Sequence, residues 1–407
     1  MIAFEHLFAA DLPAPAARWN GHPRYNFVGG HNDPEVLPVE ALAASAERVL
    51  QREGHKLAMY NLGEGQMGHA GLRAFVASKL ASMRGIDAPV DDVLITSGSL
   101  QGLDLVNEVM LERGDTVIME QLTYGGMITR LQRRGVRMVG VPLDEHGMRT
   151  DLLGTLLEDL RAQGIRPKYI YTIPTVQNPT ATVLSLERRH ELLRLSKAFA
   201  VPIFEDECYA DLLWQGDWPP AVRGLPGGEQ VIHIGSFSKS LAPALRLGYV
   251  SAPWDVMSRL VACKSDGGTP AIEQMVVADF FGRHFEDHVG RLKRRLRQKL
   301  EVLTGALEEQ FGTAAEFAVP KGGIFLWVTL PEQVDTAALA APALAEGIVY
   351  NPGPEWSTDP EAARHGMRLC FALPPADLIR EGIARLAEVC HRETGVPERS
   401  ANLGRRA

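Results

Sequence analysis

The sequence predicts an α/β fold: a large domain with a mostly parallel seven-stranded sheet flanked by helices, plus a smaller α+β domain built from N- and C-terminal segments. Three observations carry this expectation. From about residue 90, short β-rich runs alternate with stretches of helical periodicity, the order of successive βα units. After residue 290 that alternation gives way to a long charged helix and then to strands and helices of a different texture. A chain of 407 residues, 45% of them hydrophobic, is also long enough to bury two cores without staples.

Taken in order, residues 1–55 are expected to form an N-terminal arm and part of the small domain, with PVEALAASAERVLQRE as one amphipathic helix preceded by loop. Residues 56–290 are expected to form the large domain. Its candidate strands are VLIT (93–96), TVIME (116–120), RMVGV (137–141), YIYTIP (169–174), PIFED (202–206), VIHIGSF (231–237) and LGYVSA (247–252). Helices are expected between several of them; in LSLERRHELLRLSKAFA the leucines recur at three- and four-residue spacing. Residues 291–407 are expected to form the C-terminal small domain, where GGIFLWVTL and MRLCFAL read as strands. The tail after Glu393 reads as mobile.

The net charge of −8 is spread over both halves with no basic tract, which disfavours nucleic acid and anionic membranes as partners and leaves a small molecule as the default ligand. Cys208, Cys263, Cys370 and Cys390 lie far apart with no CxxC or His pairing. They read as reduced thiols of a cytoplasmic protein, with neither a zinc site nor a disulfide framework. No leader or membrane-spanning run is expected from the sequence.

The segment SFSKSLAPALRLGY places Ser236 and Ser238 before Lys239 and Arg246 seven residues after it, at the end of a buried strand. A ligand that combines an aldehyde with a phosphate needs an amine for a Schiff base, hydroxyl donors and a guanidinium fork, and this segment supplies all three. A solvated loop lysine among turn serines is the competing reading. In FEDECY, Asp206 ends an apolar strand and wants a cationic partner such as a protonated pyridine nitrogen; it reads as well as a strand-end cap. Tyr209, three residues on, and Asn178 in QNPT offer donors for a phenolate oxygen, although an Asn-Pro turn by itself is unremarkable. ITSGSLQG reads as strand, turn and helix start, with the Ser99 hydroxyl and backbone N–H groups facing an anion, although Gly-rich turns before helices are common. Tyr124 could stack on a flat ring or be plain core. Arg368, at the start of a strand in the smaller domain, needs an anion, either a ligand carboxylate or an internal partner.

In order, GSLQ, LTY, QNPT, EDECY, SFSKSLAPALRLG and MRLCF resemble the landmarks of the class I/II aminotransferases, fold type I of the pyridoxal 5′-phosphate (PLP) enzymes, over nearly the whole chain. They look most like the branch with 2-aminoadipate and kynurenine aminotransferases, which also supplies the ligand domain of MocR-type regulators. The resemblance implies PLP as cofactor, an amino acid and a 2-oxo acid as substrates, and a homodimer with shared active sites. It implies Lys239 as the Schiff-base lysine, Asp206 at the pyridine nitrogen, Asn178 and Tyr209 at the phenolate oxygen, and Tyr124 on the ring. Ser99, Leu100, Ser236, Ser238 and Arg246 would hold the phosphate, and Tyr60 would reach the partner's phosphate. Arg368, with Asn178 and Gly30, would receive the substrate carboxylate.

Several stretches depart from the family pattern. The glycine-rich segment from Tyr60 to Arg73 is longer than usual and should border the substrate pocket, with Glu64, His69 and Arg24 as further candidates to line it. Leu100 stands where an amide is common, and GGHND at 29–33 is polar where relatives are more apolar. Transamination through Lys239 is the expected reaction. A β-lyase, decarboxylase or oxidase-like PLP reaction is the alternative on the same scaffold, and a PLP-dependent ligand sensor the more distant one, because the cofactor's binding residues do not decide which α-carbon bond breaks.

Overall fold

The computed structural model describes residues 4–9, 12, 13, 15, 16, 18, 21–216 and 218–398. The tail expected to be mobile therefore lies, from residue 399 on, outside the described residues.

Seven strands build the central sheet: β1 (Val93–Thr96), β2 (Thr116–Glu120), β3 (Arg137–Val141), β4 (Ile170–Thr172), β5 (Ile203–Asp206), β6 (Ile232–Ser236) and β7 (Gly248–Ser251). Their order across the sheet is β1-β7-β6-β5-β4-β2-β3. Every pair is parallel except those of β7, which runs antiparallel to both β1 and β6. Helices cover both faces, which is why these strands, apart from the edge strand β3, are buried along their length and rich in apolar residues. On one face, Leu94, Met119, Tyr171, Phe204 and Ile234 pack with Leu103 and Val106 of α3 (Ser99–Met110), Met127 of α4 (Gly125–Arg134) and Met257 of α7 (Trp254–Cys263). On the other, Ile118, Ile170 and Ile203 meet Leu153 and Leu157 of α5 (Thr150–Ala162) and Leu192 of α6 (Leu186–Phe199). Val93, Ile95 and Tyr249 meet Leu72 and Val76 of α2 (Ala70–Arg84).

The charged helix foreseen after residue 290 begins earlier. Helix α8 runs from Ala271 to Phe311, 41 residues and about 60 Å at 1.5 Å per residue. Its first half buries Val277, Phe280, Phe281 and Phe285 against the sheet domain. Its second half presents Leu292, Leu296, Leu300, Leu303 and Leu307, at spacings of four, four, three and four, to a second core. That core lies under an antiparallel sheet of β8 (Phe325–Thr329), β10 (Gly366–Cys370) and β9 (Asn351–Pro352), with β10 in the middle. Helices α9 (Thr336–Ala345) and α10 (Ala376–Thr394) complete it. The N-terminal residues divide. Tyr25–Asn26 pair in parallel with Ile348–Val349 of the smaller core, whereas α1 (Val39–Glu53) lies on α8, its Val49 packed with Met275 and Val276.

Candidate active site

The carboxyl ends of β2, β4, β5 and β6 converge on one cavity of about 320 Å³, placed where open α/β sheets bind ligands. Alternation along each strand and the turn that follows it decide which side chains enter. Asp206 and Tyr209 come from the end of β5, Ser236, Ser238 and Lys239 from the end of β6, and Arg246 from the turn before β7. Ser99 and Leu100 open α3, Tyr124 caps α4, and Asn178 follows β4. Arg368 reaches over from β10, and Gly30 from the N-terminal segment. The candidates for holding the cofactor and the substrate carboxylate thus meet in one place, except Tyr60, which is 90% exposed and lines no part of the cavity.

Lys239 Nζ donates to the Gly30 carbonyl at 2.8 Å and lies 5.8 Å from the centre of the Tyr209 ring. Burial, reinforced by the Arg368 and Arg246 charges against the opposing pull of the Cys208 and Cys370 thiols, brings its amine down from 10.5 to about 8. Asp206 is 5% exposed; Oδ2 accepts from the Tyr171 hydroxyl at 2.8 Å and Oδ1 from the Cys208 N–H at 3.1 Å. Burial outweighs these donors and the charge of His233 and raises its carboxyl above the usual range; among the described residues no ion pair reaches it. Tyr209 packs edge-on against Phe325, and burial drives its phenol well up.

At the opposite wall the Arg368 guanidinium is 3% exposed and lies 3.8 Å from the centre of the Trp356 ring. Its hydrogen bonds, among the described residues, all go to neutral oxygens: Asn178 Oδ1 at 3.0 Å, Gly29 O at 3.0 Å and Asn351 Oδ1 at 2.8 and 3.3 Å. Such a site suits an incoming carboxylate. The Arg246 guanidinium, in a left-handed backbone conformation, donates to Pro243 O at 3.0 Å beside the α3 N-terminus, so a fork and a helix N-terminus face the same space.

Several residues here have no role assigned from the sequence. Trp356, Asn351, Cys208 and Gly29 line the cavity, and Gln177 fixes the Asn178 turn. Gln177 Nε2 donates to Glu120 at 3.1 Å and to Leu122 O at 2.6 Å, while its Oε1 accepts from Thr180. Glu120, also held by Thr172 and the Ile173 N–H, is pushed by burial up to about 7. Conversely, Glu64, His69 and Arg24 are engaged elsewhere: Glu64 with Lys56 and Ala70 N, His69 capping α2, Arg24 with Glu381. No residue of the segment 60–73 lines the cavity.

A buried carboxylate without a cation, a poised amine, a guanidinium fork by a helix N-terminus and a carboxylate-ready arginine form the donor set that a phosphorylated pyridine aldehyde and an amino acid would require. Comparison with known proteins agrees in kind. The sequence profile of the family described as aminotransferase class I and II matches residues 30–386. The aromatic-amino-acid aminotransferase 1 of Thermococcus litoralis is 32% identical over 371 residues, covering 90% of this chain and 88% of that protein. Among solved structures, a multiple substrate aminotransferase from Thermococcus profundus is similar at a TM-score of 0.88 and 31% identity, covering 97% of this chain and 100% of that one. The α-aminoadipate aminotransferase of Thermus thermophilus, complexed with N-(5′-phosphopyridoxyl)-L-leucine, has a TM-score of 0.80 and 32% identity, covering 89% of this chain and 91% of that one.

Proposed function

The chain belongs to the class I and II aminotransferases, and from that premise we propose that the cavity at the carboxyl edge of the sheet is its reaction centre, with the roles of individual residues as follows. The activity itself is the transfer of an amino group from an L-amino acid to a 2-oxo acid with PLP as cofactor. When bound, PLP supplies a conjugated sink for the electrons released at the substrate α-carbon.

Asp206 holds the protonated ring nitrogen, and the cation restores the ionised carboxylate that burial disfavours. Asn178 and Tyr209 hold the phenolate oxygen, and Tyr124 lies on the ring. The α3 N-terminus with Ser99 and Leu100, together with Ser236, Ser238 and Arg246, holds the phosphate. Arg368 and Asn178, with the backbone at Gly30, orient the substrate carboxylate. Lys239 would anchor the cofactor, and its released Nζ, whose protonation burial disfavours, would accept the proton that leaves the substrate α-carbon. The observation that carries this reading is the convergence of Lys239, Asp206, Arg246 and Arg368, from four separate stretches of chain, on one cavity.

A homodimer accords with the exposed apolar side chains Leu57, Met59 and Tyr60, a surface that a second copy would cover, with Tyr60 then reaching the partner's phosphate. The four free cysteines favour a reducing, cytoplasmic setting. The test is a half-reaction: aromatic amino acids, 2-aminoadipate and alanine are added singly to the PLP-loaded protein. Bleaching of the cofactor's visible band with one equivalent of 2-oxo acid released is the expected result. Release of carbon dioxide or ammonia instead would overturn it.

A further inference from the structure

The polar segment at residues 29–33 touches both ends of the site. The Gly29 carbonyl accepts from Arg368 Nη2 at 3.0 Å and from Cys370 Sγ at 2.8 Å, and the Gly30 carbonyl accepts from Lys239 Nζ at 2.8 Å. The guanidinium and the amine therefore rest on consecutive carbonyls. A Cβ on Gly30 would stand 2.1 Å from Lys239 Nζ, so any side chain there would displace the amine. At the far end, Asp33 is tied to α8 through Arg295 at 2.8 Å and Lys299 at 2.7 Å.

Asn32 lies between these anchors. Its Nδ2 has two hydrogens and two acceptors: Ser238 O at 3.2 Å and Leu241 O at 2.8 Å, one residue before and two residues after Lys239. We propose that Asn32 is a positioning residue for Lys239: its amide clasps the turn on both sides of the lysine and so sets Nζ at a fixed place relative to Arg368. The clasp supplies what the turn lacks by itself, because Ser238 O and Leu241 O belong to a loop and not to a strand ladder. Proximity chemistry is sensitive to placement on the ångström scale, so a clasp of two hydrogen bonds would act on turnover more than on substrate binding. The groups that face Nζ are the Gly30 carbonyl, the Tyr209 ring, the Cys208 and Cys370 thiols and the Arg368 and Arg246 guanidinium groups, with His31 close enough for its charge to be felt. A shift of Nζ changes its distance to all of them.

This inference rests on Lys239 being the cofactor's amine, and the experiment separates the two. In the PLP-loaded protein, Asn32→Leu removes both donors at similar volume, and Asn32→Ala removes them without bulk should leucine not be accommodated. The visible band is titrated with pH in the absence of substrate, and kcat and KM are measured alongside the thermal midpoint. The expected result is a displaced titration midpoint and a kcat lowered about tenfold or more, with KM for the amino acid changed less than about threefold. A titration midpoint and kcat equal to those of the unsubstituted protein would overturn the inference. So would a loss of kcat that only tracks loss of folded protein. A parallel Lys239→Ala preparation that keeps the same band would overturn the underlying reading of the lysine, and the inference with it.

Discussion

Burial sets the chemistry of individual side chains here. Burial brings the Lys239 amine down from 10.5 in the unfolded chain to about 8 in the folded one, so between those values the unfolded chain binds the extra proton. Stability of the cofactor-free protein therefore rises with pH across that window and is lowest, and flat in this contribution, below 8. Lys239→Met should stabilise the cofactor-free protein at pH 7 by on the order of 1–3 kcal/mol, a gain that shrinks as pH approaches 10.5; urea unfolding at pH 7 and pH 10 measures both. Equal stabilities at pH 7 would contradict the burial argument. The three acids of FEDECY show how far single residues could be read. Asp206 enters the cavity, whereas its neighbours, pointing away by strand alternation, serve the core: Glu205 binds His233 at 3.1 Å and the Val222 N–H, and Glu207 pairs with buried Arg84 and Arg189. The sequence offered three carboxylates, and only their register against β5 tells them apart.

At the scale of elements, most of the candidates depend on the turn at the end of a strand. Gly98, between β1 and α3, has φ +78°, and a Cβ there would stand 2.4 Å from Arg246 Nη2. Gly98→Ala should push the guanidinium aside and weaken PLP binding about tenfold or more, some 1.4 kcal/mol, with the fold retained; fluorescence titration with the cofactor reads it. Unchanged affinity would remove Arg246 from the phosphate site. The strands themselves were legible because buried parallel strands are short continuous apolar runs bounded by turn residues, and three of the seven, 93–96, 116–120 and 137–141, match the sequence expectation residue for residue. The antiparallel direction of β7 had no such local signal. Nor did the early start of α8, whose first half carries the aromatic residues of one core and whose second half the charged and leucine pattern of another.

Across the whole molecule, the site is assembled over long separations, and its strings were legible where its supporting wall was not. Lys239, Asp206, Arg246, Asn178 and Arg368 all sit in recognisable strings, although Arg368 meets Asn178 across 190 positions, whereas Asn351 and Trp356 come from a Pro- and Gly-containing stretch with no periodic signal. Tyr60, 90% exposed, belongs to this scale too, since the role proposed for it needs a second subunit. The dimer reading predicts a mass in solution of twice the 44.6 kDa chain and, for Tyr60→Phe, weaker PLP binding at unchanged mass; light scattering with cofactor titration tests both, and a monomer with full PLP affinity would contradict it. The central claim, that one lysine holds the cofactor, is tested most directly by borohydride reduction of the PLP-loaded protein followed by peptide mass mapping. The account predicts the reduced cofactor on Lys239 and on no other lysine. Recovery of the label on a different residue, or no covalent label at all, would contradict it.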